Sequence, residues 1–178
     1  SYKKPLQMLE AKNQYFYDQY ALGKLDINES LEFCLEPLSK HDMKTLNNWH
    51  KQFMQEKVED IFLPKAQAVV NEHKAKGDTL LVITATNSFV TAPIVARYGI
   101  NNLLATNPEI KNNQYTGKVV GVPCFQQGKI THLKQWLELT GESMEGASFY
   151  SDSHNDLPML ELVDNPVVVH ADQKLKAI

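Results

Sequence analysis

Thr79-Leu80-Leu81-Val82-Ile83-Thr84-Ala85-Thr86-Asn87 is an apolar, β-branched run that ends in hydroxyl and small side chains. Gly77 and Asp78 break the chain before it, and Asn87 or Ser88 can cap a helix after it. A short apolar run bounded in this way predicts a buried strand over 79–84, feeding a loop and then a helix over 88–98 that Gly99 stops, with Pro93 as an interruption. Working outward, Pro64 to Lys76 predicts a helix with Gly77 at its C-terminal cap. Residues 102–105 predict a short strand, and 109–110 with 115–120 a hairpin joined through Lys111-Asn112-Asn113-Gln114. Strands over 147–151 and 166–169 follow, with a helix between them. This alternation predicts the α/β class, a parallel sheet covered by helices.

Before Pro64 the pattern is helical throughout. Tyr15, Phe16 and Tyr20 gather on one segment, and Ile27, Leu31, Cys34, Leu35 and Leu38 make a helical stripe. Asp26 followed by Glu29 reads as a capping box at the start of that stripe. Leu46, Trp49 and Phe53 form another stripe, whose spacing predicts core packing. The chain therefore divides near residue 64, with a helical part over 1–63 and an α/β part over 64–178.

Three stretches bring chemistry-bearing side chains to element junctions. Phe149-Tyr150-Ser151-Asp152-Ser153-His154-Asn155-Asp156-Leu157-Pro158-Met159-Leu160 sets Asp152 and Asp156 where a strand stops and a helix begins, the place where α/β proteins put their chemistry. A hard cation such as Mg²⁺ would find carboxylate oxygens there, while a polar turn whose Asx side chains cap a helix is the plain alternative. Thr84, Ala85, Thr86 and Asn87 surround a helix N-terminus whose backbone N–H groups favour a phosphate. Gly128-Lys129-Ile130-Thr131 opens a segment in which Ile130, Leu133 and Leu137 follow helical spacing, so Lys129 sits at a helix start. A cation there opposes the helix dipole unless an anion is near, and by itself it reads as a surface lysine. His154 reads as an exposed loop histidine, and His73 as a packing residue beside Ala66, Val69 and Val70.

A threonine at one strand end, then a lysine, then an acidic pair at another strand end resembles motifs two, three and four of the haloacid dehalogenase phosphatases. The likeness is closest to subfamily IB, the phosphoserine-phosphatase-like group, and it runs from about residue 12 to the end of the chain. The resemblance implies a Rossmann-like parallel sheet with helices on both faces and a helical cap over 1–63. It places Thr84 and Lys129 in catalysis, and Thr84, Ala85, Thr86, Asn87, Lys129 and Asn155 on phosphate or substrate. Asp152 would hold Mg²⁺ with Asp156 in support. Ser151 and Ser153 stand where those enzymes have glycines. A small phosphorylated metabolite, phosphoserine-like or histidinol-phosphate-like, is the implied substrate.

Such enzymes open with a strand ending in Asp-x-Asp-x-Thr, whose first aspartate attacks phosphorus, and no strand of this chain ends in Asp-x-Asp. The expectation is therefore a core over 64–178 that lacks its first strand, in a fragment of a longer protein that is inactive by itself. It begins without Met and stops at Lys176-Ala177-Ile178 in an expected helix. An inactive relative that binds a phosphorylated ligand or partner is the alternative. A dinucleotide-binding module is disfavoured because no Gly-x-Gly-x-x-Gly follows a strand.

With 178 residues, 43% of them hydrophobic, the chain can bury roughly two-thirds of its unfolded surface. A net charge of −3 and the absence of a Lys/Arg stripe argue against nucleic acid. No apolar run approaches a membrane span. Cys34 and Cys124 read as free buried thiols, which suits a reducing cytoplasm.

Overall fold

Helix α1 (Lys3–Ala21) ends in a turn through Leu22 and Gly23, and Asp26 then opens α2 (Ile27–Ser39) by accepting the N–H groups of Asn28 and Glu29. These elements belong to a computed structural model that describes residues 3–177. Asp42 caps α3 (Met43–Phe53) in the same way through the Thr45 N–H. Leu31, Leu35 and Leu38 of α2 and Leu46 of α3 close around Tyr115 in one apolar core.

Two expectations change here. Trp49 and Phe53 are not core residues, being 51% and 39% exposed. The inward line of α3 runs instead through Leu46 and His50, one helical turn apart, and His50 is anchored by its Nε2 against the Val90 carbonyl at 3.0 Å. Cys34 is exposed, because the buried line of α2 passes through Leu31, Leu35 and Leu38 and leaves it at the margin.

After α3 the chain widens into a π turn (Met54–Val58) and then tightens in a 3₁₀ turn (Glu59–Ile61) before α4 (Pro64–Lys76). Arg97, the only arginine in the sequence, clamps this junction. Its Nε and Nη2 reach the two Glu59 carboxylate oxygens at 3.0 and 3.2 Å, and its guanidinium covers the Phe62 ring at 4.2 Å.

The α/β part follows the expected order. Strand β1 (Leu81–Asn87) leads into α5 (Ser88–Arg97), β2 (Asn102–Lys111) into β3 (Gln114–Val120), and α6 (Gln127–Thr140) comes next. Strand β4 (Ser148–Ser151), a 3₁₀ turn (His154–Asp156), α7 (Leu157–Leu160), β5 (Asn165–Val168) and a 3₁₀ turn (Leu175–Ala177) complete it. Strand β1 runs three residues further than expected, and β2 is one long strand reaching the hairpin, whose turn uses the left-handed conformations of Asn112 and Asn113. The helix expected between β4 and β5 is reduced to the 3₁₀ turn and α7, because side chains of Ser153 and Asp156 bind within the loop itself. Pro93 lies within α5 on its exposed side and does not end it. The expected C-terminal helix is the 3₁₀ turn alone; Ile178 lies outside the described residues.

Strands β1 and β2 pair in parallel, with Leu81 opposite Asn102 and Ile83 opposite Leu104, and β3 adds antiparallel to β2. Strands β4 and β5 form a second parallel pair. Helix α6 covers both sheets: its Ile130 and Leu133, with Met159 of α7, pack on Leu81, Ile83 and Leu104 of the first and Phe149 of the second. On the alternate face of β4, the Tyr150 hydroxyl meets His73 Nε2 at 2.8 Å, while His73 Nδ1 donates to Asp78 at 2.6 Å. His73 is thus a hydrogen-bonded bridge between α4 and β4 rather than a packing residue. The architecture is α/β, with helices packed on parallel-containing sheets; the single parallel sheet expected is split among the described residues into a mixed three-stranded sheet and a parallel pair.

Among the described residues β1 and β4 have no strand on their free sides, and Leu81, Val82 and Ile83 are only half-buried. Unpaired parallel edges with apolar faces invite association. The 178-residue chain by itself is therefore expected to self-associate, bind a hydrophobic dye and melt without a cooperative transition. A monodisperse scattering profile with a sharp thermal transition would contradict this.

Candidate active site

The first turn of α6 is built around a close approach. A Cβ on Gly128 would lie 2.0 Å from the Pro123 carbonyl oxygen, so only glycine lets the helix begin there. Gln126, just before the helix, has φ +45°, a strained conformation for a residue with a side chain. This geometry turns Lys129 inward, where it is 5% exposed. The surface reading of Lys129 is thereby overturned, and the anion that resolves its conflict with the helix dipole is Asp156: Nζ lies 2.5 Å from Oδ1. The other Asp156 oxygen accepts from the Ser151 hydroxyl at 2.8 Å.

Both serines that stand where glycines were expected are buried and occupied. The Ser151 hydroxyl also accepts the Ser153 N–H, and the Ser153 hydroxyl meets the Tyr20 hydroxyl at 3.0 Å and accepts the Asn155 N–H. The Asn155 amide is spent within the protein, donating to the Tyr20 carbonyl at 3.1 Å and accepting from Gln126 Nε2 at 3.2 Å. Asp152 differs from all of these. It is exposed, and its carboxylate has no hydrogen-bond partner among the described residues, so its oxygens face solvent.

At the end of β1, Thr84 Oγ1 accepts the Thr86 N–H at 3.2 Å, with Ala85 half-buried and Thr86 exposed. Asn87 is buried and caps α5 by accepting the Val90 N–H at 3.1 Å. The β1 end and the lysine meet around Cys124. Its thiol donates to the Leu104 carbonyl, and the charges of Lys129 and Asp156 both act on it. Burial pushes this thiol up to about 11 despite the opposing pull of Lys129. It stays protonated near neutrality and makes no nucleophile.

His154 is not the exposed loop residue expected. Its side chain is 14% exposed and its Nδ1 lies 2.7 Å from Asp172. Tyr20, Gln126 and Asp172 all shape this loop, and nothing in the sequence marks them, because their partners lie 29 positions away for Gln126 and up to 135 for Tyr20.

A strand-end loop, a helix N-terminus, a buried lysine and an exposed carboxylate thus meet at one edge of the α/β part. The profile of the haloacid dehalogenase-like hydrolases matches residues 2–161, and the chain belongs to that family. It is 40% identical over 171 residues to a histidinol-phosphatase of Neisseria meningitidis serogroup C (strain 8013), covering 94% of this chain and 77% of that protein. A protein of unknown function from Bordetella pertussis Tohama I superposes with a TM-score of 0.87 at 37% identity, over 94% of this chain and 77% of the other. A phosphoserine phosphatase solved as a phospho-aspartyl intermediate analogue superposes at 0.69 with 19% identity and the same coverages, a likeness of fold.

In the complete protein Lys129→Met should reduce stability by about 3–5 kcal/mol, since it leaves Asp156 buried and unpaired. Adding Asp156→Leu should restore most of that stability, because an apolar pair replaces an ion pair. Chemical denaturation of both variants measures it, and equal stability of the single and double variants would contradict it.

Proposed function

We propose that the chain carries the phosphate- and metal-binding part of a Mg²⁺-dependent hydrolase of a small phosphomonoester, histidinol-phosphate-like or phosphoserine-like. The observation that carries this reading is the buried Lys129–Asp156 pair beside the solvent-facing Asp152 carboxylate at the end of a parallel strand. The 40% identity to a histidinol-phosphatase supports the choice of substrate class.

In this reading residues 1–63 are the cap and 64–178 a core without its first strand. The unpaired edges of β1 and β4, both covered by α6, support it, because one parallel strand between them would complete the layer and bury the half-exposed face of β1. An aspartate on that strand, outside this chain, attacks phosphorus as the ester P–O bond breaks and the alcohol leaves with a proton, and water then cleaves the acyl phosphate to free phosphate and the carboxylate. The Thr84 hydroxyl, the N–H groups of Ala85 and Asn87, and Lys129 neutralise the phosphoryl oxygens, while Thr86 shapes the loop through its N–H on Thr84 Oγ1. Asn155, expected on the substrate, instead holds the Tyr20 end of α1 against the loop.

Asp152 offers free carboxylate oxygens of the kind that a hard cation such as Mg²⁺ takes, and Asp156 supports it by fixing Lys129. Mg²⁺ bound there supplies positive charge to the phosphoryl oxygens. No described helix is long and apolar enough to cross a membrane. A small soluble metabolite in the cytoplasm, rather than nucleic acid or a membrane lipid, is the proposed partner.

In the complete protein Asp152→Asn should lose Mg²⁺ binding and phosphate release while keeping the melting temperature, because the side chain has no structural partner. Calorimetric titration of Mg²⁺ with turnover on an aryl phosphate tests this. Unchanged affinity and turnover would remove Asp152 from the site, and Mg²⁺ binding without hydrolysis of any phosphomonoester would favour an inactive phosphate-binding relative.

A further inference from the structure

The segment after β5 lies outside the motifs named so far, yet three hydrogen bonds from its Asp172 converge on Asp152 and His154. The Asp172 N–H donates to the Asp152 carbonyl at 2.9 Å. Asp172 Oδ2 accepts from the His154 N–H at 2.9 Å and from His154 Nδ1 at 2.7 Å. Its Oδ1 accepts the Leu175 N–H at 2.7 Å, which anchors the segment itself on the buried Leu175. Lys174 Nζ reaches the Leu22 carbonyl at 2.5 Å and ties the same segment to the turn after α1.

The histidine ring is wedged rather than merely attached. Its Nε2 is buried without a partner among the described residues, and it faces Gly23, where an added Cβ would come within 2.9 Å. Gly23 has φ +68°, so the turn can pass this close to the ring only with glycine. The ring is thus held by Asp172 on one side and by the turn on the other.

Asp152 is the residue that gains from this. An exposed carboxylate with no side-chain partner takes its position from its backbone alone. That backbone is fixed on one side by β4, where Val169 N–H donates to the Ser151 carbonyl at 2.9 Å, and on the other by Asp172. We infer that Asp172 is a positioning residue for the metal loop: through the Asp152 carbonyl and through the N–H and ring of His154, it holds residues 152–154 in the one arrangement that presents the Asp152 carboxylate. The inference rests on Asp152 being a metal ligand. Partners behind a metal ligand commonly change metal affinity by about ten- to a hundredfold when removed.

The test uses the complete protein and Mg²⁺ itself. Asp172→Ala should weaken calorimetric Mg²⁺ affinity by about tenfold or more. Asp172→Asn, which keeps one oxygen for the His154 N–H, should lose less. Binding of inorganic phosphate without metal, which reads the Thr84 and Lys129 side of the site, should be unchanged in both. A lowered melting temperature with wild-type Mg²⁺ affinity would make Asp172 merely structural and overturn the inference. If Asp172→Ala does not fold, Asp172→Asn decides: Mg²⁺ affinity equal to wild type overturns it. If Asp152→Asn leaves Mg²⁺ binding intact, the metal reading of Asp152 fails and this inference with it; if Asp152→Asn abolishes binding while the Asp172 variants do not alter it, this inference alone fails.

Discussion

The ion pair between Lys129 and Asp156 is the interaction on which the site depends. Two charges taken out of water recover their hydration only where geometry is good and the remaining valences are filled. Here Lys129 enters from the first turn of α6, Asp156 from the 3₁₀ turn after β4, and Ser151 from the last position of β4 fills the second carboxylate oxygen. One buried contact therefore ties a helix, a strand end and a loop to a common point. Because α6 also packs on both parallel sheets, the pair fixes the β4 loop relative to the end of β1.

Around this pair the loop is rigid by hydrogen bonding rather than by packing. Ser153, Asn155, Tyr20 and Gln126 exchange bonds among themselves, so that of the polar side chains from 151 to 156 only that of Asp152 has no partner among the described residues. A solvent-facing carboxylate beside a neutralised lysine–aspartate pair leaves no uncompensated charge in the interior.

Much of the site could be read from the chain. Gly128-Lys129 at a helix start and Asp152 four positions before Asp156 at a strand end were visible because those signals are local, and so were the Asn87 cap, the Gly77 cap and the hairpin at Asn112-Asn113. The errors were of another kind. Trp49 and Phe53 satisfied helical spacing, but which line of α3 faces inward was settled by Phe89 and the Val90 carbonyl on another helix. His73 and His154 looked like ordinary packing and loop residues until Tyr150 and Asp172 were brought to them.

The sequence by itself determined the α/β alternation, the helical first third, the order of the motif residues and the family to which they belong, because hydrophobic period, caps and turn residues act over a few positions. Tertiary structure alone decided that Lys129 is buried, that the two serines of the acidic loop are structural, and that Asp172 stands behind Asp152. Those outcomes depend on which side chains meet across 18 to 27 positions and more, and a charge's burial is fixed by its distant partner rather than by its neighbours in the chain.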